Sequence, residues 1–402
     1  METMAWPLEP EEAMWVFRSI QFTSFKWDIF HRGDTSILTD ALILTAEQHN
    51  KAVEIAEGVW AALRKVEHQA CQNRGFLKDL AVPEGLHDAI LEQRVENPRV
   101  TRCDLHLTEG GEWMISEFND DVPSGFGECT GLNEALETHF KDRFAGLEFR
   151  GDLRKALVDS FGTDQSIGLV HASGYSEDLQ HVALVAEWLK QEGKETTIGS
   201  PSNLEVREGK AYLFEEPIDA LFRYFPGEWL SDLPNSEAWK ESAAFLPSMN
   251  PLSALASQSK RFYALFNERE IHLKEEEREL LHAHIPYSLF LSSVKKEEVL
   301  QQPEKWVLKG SFGRMGNTVR IGPLMPKEKW EKAVEEAYEV SYVVAAQRRF
   351  DTRSVWTTRG MGYPTLGVYL VDGKFAGYFS RIDKGPLIHY DSWHVPTLVK
   401  TT

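Results

Sequence analysis

The chain has 402 residues, a formal net charge of −18, 42% hydrophobic and 11% aromatic residues, and three cysteines without CxxC spacing. This composition fits a folded globular protein with room for two or three packed domains, and it excludes a disordered chain, a disulfide framework and a zinc knuckle. The negative charge opposes nucleic acid and anionic lipid, and neither a bilayer-length apolar run nor a secretory leader occurs, so no nucleic-acid or membrane partner is expected and the expected setting is the cytoplasm.

Apolar residues recur at helical spacing over 46–72 (Val53, Ala56, Val59, Trp60, Leu63), which predicts a long amphipathic helix. Two strands follow. One carries Arg102-Cys103-Asp104, the other Glu117-Phe118-Asn119-Asp120-Asp121, and Gly110-Gly111 between them supplies the positive φ of a hairpin turn. Asp104 and Glu117 can then face each other across the ladder. Two carboxylates and the Asn119 carbonyl are enough protein for a Mg²⁺ that keeps waters or nucleotide phosphates as its remaining ligands. The plain alternative is a set of solvated acidic residues beside a turn. Cys103 alternates to the other face and is expected in packing. Asp120, Asp121 and Ser124 either attract a cationic amine or form an Asx-type turn before Pro123.

Residues 133–161 read as helical with a break near Gly146, and a boundary falls near residue 163. Residues 167–171, 177–192 and 196–198 have the β-α-β rhythm of a parallel sheet, and 219–225 adds another strand. His171 and His181 are read as structural, because nothing nearby in sequence completes a triad or a metal set. Glu228 either orients an amine or caps local structure.

The segment 267–284 is dense in Glu, Arg and Leu and predicts one helix. Ser259-Lys260 lies upstream near a helix start, where the lysine charge opposes the helix dipole unless an anion, a phosphate or a neighbouring Glu, compensates it. Strands at 306–309 and 318–321 flank Lys309-Gly310-Ser311-Phe312-Gly313-Arg314-Met315-Gly316-Asn317. Glycines there let backbone N–H groups approach phosphate oxygens, and the flanking cations balance the charge. The pattern is neither a P-loop nor a dinucleotide fingerprint, which leaves a nucleotide cradle on an antiparallel hairpin or a surface turn with incidental charges. A helix at 327–340 and a hairpin of 365–371 with 374–382 around Asp372-Gly373 complete the chain.

Taken in order, Arg102-x-Asp104, the Glu117 to Ser124 segment, Phe225-Pro226-Gly227-Glu228-Trp229, Ser259-Lys260, the Lys309 to Asn317 loop and the final hairpin with Arg381 resemble the synthetase part of the glutathionylspermidine synthase family over most of the chain. The resemblance implies an α+β, ATP-grasp-like fold with a small α/β (pre-ATP-grasp) domain and an N-terminal helical region. The implied division is 1–162 with the helices and the metal hairpin, 163–250 as the small α/β domain, and 251–402 as the ATP-grasp lobes. It implies ATP and Mg²⁺ as cofactors. The implied reaction joins a small-molecule or peptide carboxylate to an amine through an acyl phosphate.

The resemblance further implies Asp104, Glu117 and Asn119 as metal ligands, and Lys260, Lys309, Gly313, Arg314, Gly316 and Gln347 as nucleotide contacts. Arg102 and Arg381 match arginines that steady the transferring phosphoryl group. No nucleophilic side chain is required, because phosphoryl transfer asks mainly for positioning and charge neutralisation. Gly310 stands where the family usually has Pro, Met315 where it often has Glu or Cys, and Val122 where a hydroxyl residue is common near the acyl-substrate pocket, so the carboxylate stays open. The Cys/His amidase domain of bifunctional members is not expected in this chain. A noncatalytic nucleotide- or partner-binding protein on the same fold is the alternative, and a phosphotransferase needing no amine is a third reading.

Overall fold

A computed structural model of the chain describes residues 1–401 except Arg32, Arg94, Arg314 and Met315. At its centre lies a six-stranded antiparallel sheet, here the site sheet. Its strands run in the order Trp393–Val395, Lys374–Asp383, Gly360–Val371, Val100–Leu107 and Trp113–Asn119, with Val355–Thr357 paired to the Gly360 end. Residues opposite one another on a ladder share a face, and the face changes with every residue. Cys103, Leu105, Phe118, Leu366, Val368 and Leu370 therefore fall on one face and are buried in the main core, where the Ala46–Ala70 helix contributes Ile55, Val59 and Leu63. Thr45 caps that helix by accepting from the Gln48 N–H, and Gln48 returns the bond. The other face buries Val100, Tyr369, Val371 and Phe379 at one end and is polar where it carries Arg102, Asp104, Glu117 and Asn119.

A second, parallel sheet has the order Ser248–Met249, Ala220–Tyr224, Ser166–His171 and Glu195–Gly199. The Ser176–Gln191 helix makes the crossover and buries Val182, Val185 and Leu189 with Ile167 and Leu169. Asn250 ties this unit to the site sheet, accepting from the Val100 N–H at 2.9 Å and donating to the Val100 carbonyl at 2.7 Å. A third sheet, here the cover sheet, is antiparallel, in the order Ser288–Phe290, Val344–Arg348, Trp306–Gly310 and Val319–Ile321. It backs onto the Lys327–Glu339 helix through Trp306, Leu308, Trp330 and Val334.

Two helices differ from the sequence reading. The single helix over 267–284 is two, Phe262–Glu268 and Glu275–His284. Ile271 is buried between them, and Arg278 donates back to the Phe266 and Ile271 carbonyls, so tertiary contacts satisfy the broken backbone. The triple Glu275-Glu276-Glu277 then begins a new helix at its positive end. The helix expected from residue 133 starts at Phe126 and ends at Phe140, and Leu147–Phe149 and Leu153–Asp159 follow as a strand and a further helix. Its start is set by Gly125 at φ +108°, a backbone state open to glycine.

Candidate active site

The polar face of the site sheet is read directly from its ladders. Arg102 pairs with Asn119 and Asp104 with Glu117, and across the next strand Asp104 lies opposite Gly367, Gly367 opposite Phe379, and Thr365 opposite Arg381. Gly367 has no side chain to occupy the middle of this face. Arg381 can therefore reach over it, and its Nη2 donates to Asp104 Oδ2 at 2.7 Å. Arg102 donates to the same carboxylate through Nε at 2.7 Å and Nη2 at 3.2 Å, and to the Ser124 carbonyl through Nη1 at 2.7 Å. The Asn119 Nδ2 donates to Asp104 Oδ2 at 3.3 Å.

The lysines arrive from the other elements. Lys260 lies between the Ala254–Gln258 and Phe262–Glu268 helices, its N–H donating to the Ser311 carbonyl at 2.8 Å and its Nζ pairing with Glu117 Oε2 at 2.7 Å. Lys309, on the cover sheet, donates from Nζ to the Ser116 carbonyl at 3.0 Å. Gln347 lies on the strand next to the cover sheet's edge and donates to Ser288 Oγ of that edge strand at 3.0 Å. These residues, with Gly313 and Gly316, all line one cavity of about 420 Å³ between the site sheet, the cover sheet and the parallel unit. Arg314 lies outside the described residues.

Burial and charge act against each other here. Burial alone would raise the Asp104 carboxyl, but Arg102 and Arg381 reverse the effect and hold it well below the usual carboxylate range. Burial would likewise raise Glu117, and Lys260, ahead of Lys309, brings it below its ordinary value. For Lys309 burial wins: its ammonium is pushed down to about 8, although Glu117 opposes the shift.

A model of the family described as glutathionylspermidine synthase pre-ATP-grasp matches residues 10–400. The chain belongs to the glutathionylspermidine synthase family. The fold is accordingly α+β and ATP-grasp-like, with a small α/β unit and an N-terminal helical region. Among solved structures, a glutathione synthetase-like effector from Globodera pallida, in its apo form, is 12% identical, with 97% of each chain covered and a TM-score of 0.63, a likeness of fold. A candidate gamma-glutamylcysteine synthetase from Methylobacillus flagellatus is 14% identical over 80% of this chain and 86% of that one, with a TM-score of 0.48, too low to bear on the fold. No curated protein matches.

The magnesium that the resemblance implies has candidate ligands on this face. Asp104, Glu117 and Asn119 offer two carboxylates and an amide on adjacent strands, a donor set that suits Mg²⁺ completed by phosphates and water. No cluster of three or more His, Cys, Asp or Glu side chains placed to hold a metal occurs among the described residues. The two carboxylates are moreover outnumbered by Arg102, Arg381, Lys260 and Lys309. A bare divalent cation would add to that excess, whereas a metal with a triphosphate brings net negative charge. The residues fit the metal together with its nucleotide.

Several expectations change in detail. Asp121 neither draws an amine nor merely shapes a turn: it is buried, paired with Arg223 Nη2 at 2.6 Å and accepting from the Gly227 N–H at 3.0 Å. His181, read as structural, lines the cavity, as does His106. The signal for His106 was present, since Arg102, Asp104 and His106 alternate on one strand. For Thr365 and Phe379 there was none, because what places them is the pairing of the final hairpin with the distant Val100–Leu107 strand.

Proposed function

We propose that the protein is an ATP- and Mg²⁺-dependent ligase that joins a carboxylate to an amine through an acyl phosphate. One observation carries this reading: two carboxylates, an amide and four cations from three separate parts of the chain converge on a single cavity. In this reading Lys260 and Lys309 bind the phosphates, Arg381 and Arg102 face the transferring phosphoryl group, and Gly313 and Gly316 lie beside it. Mg²⁺ held by Asp104, Glu117 and Asn119 would neutralise phosphate oxygens during transfer. Leu387, Ile388 and Pro386 complete a roof against water, with Gly316 so close to the Ile388 carbonyl that a Cβ there would lie 3.1 Å from it. The far end presents Glu177 and Asp178 among Tyr175, Tyr224 and Trp229, a wall suited to an amine that arrives protonated.

The domain reading follows the same lines. Residues 1–162 and 251–402 build the nucleotide body together and 163–250 form the pre-ATP-grasp unit, in keeping with a site sheet that draws strands from both ends of the chain. The test is ADP release with Mg²⁺ over a panel of carboxylates, peptides and amines, with product mass recorded. Amine-dependent ADP release with an amide product is expected. ATP binding without turnover over the whole panel would overturn the ligase reading, and a stable phosphorylated product formed without amine would replace it with a phosphotransferase.

A further inference from the structure

The two arginines that share Asp104 are held in different ways. Arg102 commits three donors to fixed acceptors, and the Ser124 carbonyl it bonds is also taken by the Tyr369 hydroxyl at 2.6 Å. Among the described residues Arg381 has one side-chain hydrogen bond, from Nη2 to Asp104, and its Nε is buried without a partner. Both guanidiniums nonetheless lie against the same ring: Cζ of Arg102 is 5.0 Å and Cζ of Arg381 5.2 Å from the Phe379 centroid. That ring is itself immobilised. Gly125 approaches so closely that a Cβ would stand 2.5 Å from the ring, and the His394 imidazole covers it at 5.2 Å.

We propose that Phe379 is a positioning residue for the phosphate end of this site: the Arg381 guanidinium turns on its ring from Asp104 towards an incoming terminal phosphoryl group, while Arg102 stays fixed. This inference rests on the nucleotide reading above. An aromatic quadrupole attracts a cation without directional hydrogen bonds, so it holds the guanidinium in both orientations and leaves its N–H groups free to exchange partners. An aliphatic side chain would fill the same space without that attraction.

The test compares ATP and ADP affinities, each with Mg²⁺, by calorimetry on the full chain. Wild type is expected to prefer ATP, because Arg381 reaches the phosphoryl group that ADP lacks. Phe379→Leu should weaken ATP about tenfold and leave ADP within twofold, collapsing the preference. Pentafluorophenylalanine placed at 379 keeps the shape and reverses the quadrupole, so it should do the same, and it decides the matter if the leucine variant does not fold. Phe379→Tyr should retain the preference. An unchanged ATP:ADP ratio in the fluorinated protein, or an equal loss for both nucleotides, overturns the role of Phe379 alone. A wild-type protein that binds neither nucleotide overturns the underlying reading as well.

Discussion

Lys309 shows how a binding site is bought with stability. Its ammonium is buried, and its pKa falls from 10.5 to about 8, chiefly through burial. The drop corresponds to about 3 kcal/mol by which the folded state disfavours the charged form. Lys309→Met removes that penalty but also the hydrogen bond to the Ser116 carbonyl, which offsets about 1 kcal/mol. The variant should therefore be about 2 kcal/mol more stable than wild type at pH 7 while binding ATP about tenfold to a hundredfold more weakly.

The pH dependence gives the sharper test. Below pH 8 wild-type Lys309 is charged in both states and the penalty is present in full. Between pH 8 and 10.5 the unfolded chain binds more protons than the folded one, so wild-type stability rises with pH. The methionine variant lacks this rise, so its advantage should shrink through the same window, pass through zero within it, and end about 1 kcal/mol in favour of wild type, which keeps the hydrogen bond to the Ser116 carbonyl. Urea denaturation at pH 7, 8.5 and 10 measures the gap. A variant less stable than wild type at pH 7, or a gap independent of pH, would refute the assignment of Lys309 as a strained, buried cation.

Three further outcomes are expected. Nucleotide-free wild type should bind Mn²⁺ weakly by electron paramagnetic resonance and tightly once ATP is added, and Glu117→Gln should stay folded yet lose the nucleotide-dependent binding; tight binding of the bare ion would contradict the charge balance of the cavity. Gly367→Val puts a side chain into the Phe379 carbonyl of the next strand and should cost about 3 kcal/mol in chemical denaturation, with a neutral effect counting against the close approach. The His394 imidazole is pushed down to about 4 by burial against its ordinary 6.5, so its contribution is present above pH 6.5 and is lost as pH falls towards 4. His394→Gln should flatten that acid limb by about 3 kcal/mol, and an unchanged slope would place the titration elsewhere.

Much of the site was legible because it depends on local periodicity. Alternation along one strand puts Arg102 and Asp104 on the same face, and the glycine pair at the turn brings the second strand back beside it; a one-residue register shift between Asp104 and Leu105, which the spacing does not reveal, is what sets Glu117 rather than Ser116 opposite Asp104. The single helix read over 267–284 failed for the complementary reason. Composition favours a helix throughout, but burying Ile271 and satisfying the backbone through Arg278 outweigh local propensity there.

By itself the sequence determined which segments become the strands that carry the site, which of their residues alternate onto one face, and which bring charge to it, since these follow from spacing along the chain and the chemistry of each side chain. Only the tertiary structure decided that Gly367 would lie between Asp104 and Phe379, so that Arg381 reaches a carboxylate far away in sequence, and that Asp121 would be consumed by Arg223. Those outcomes depend on which strands become neighbours. That choice is made by burial summed over the whole molecule, a quantity that no short stretch of sequence contains.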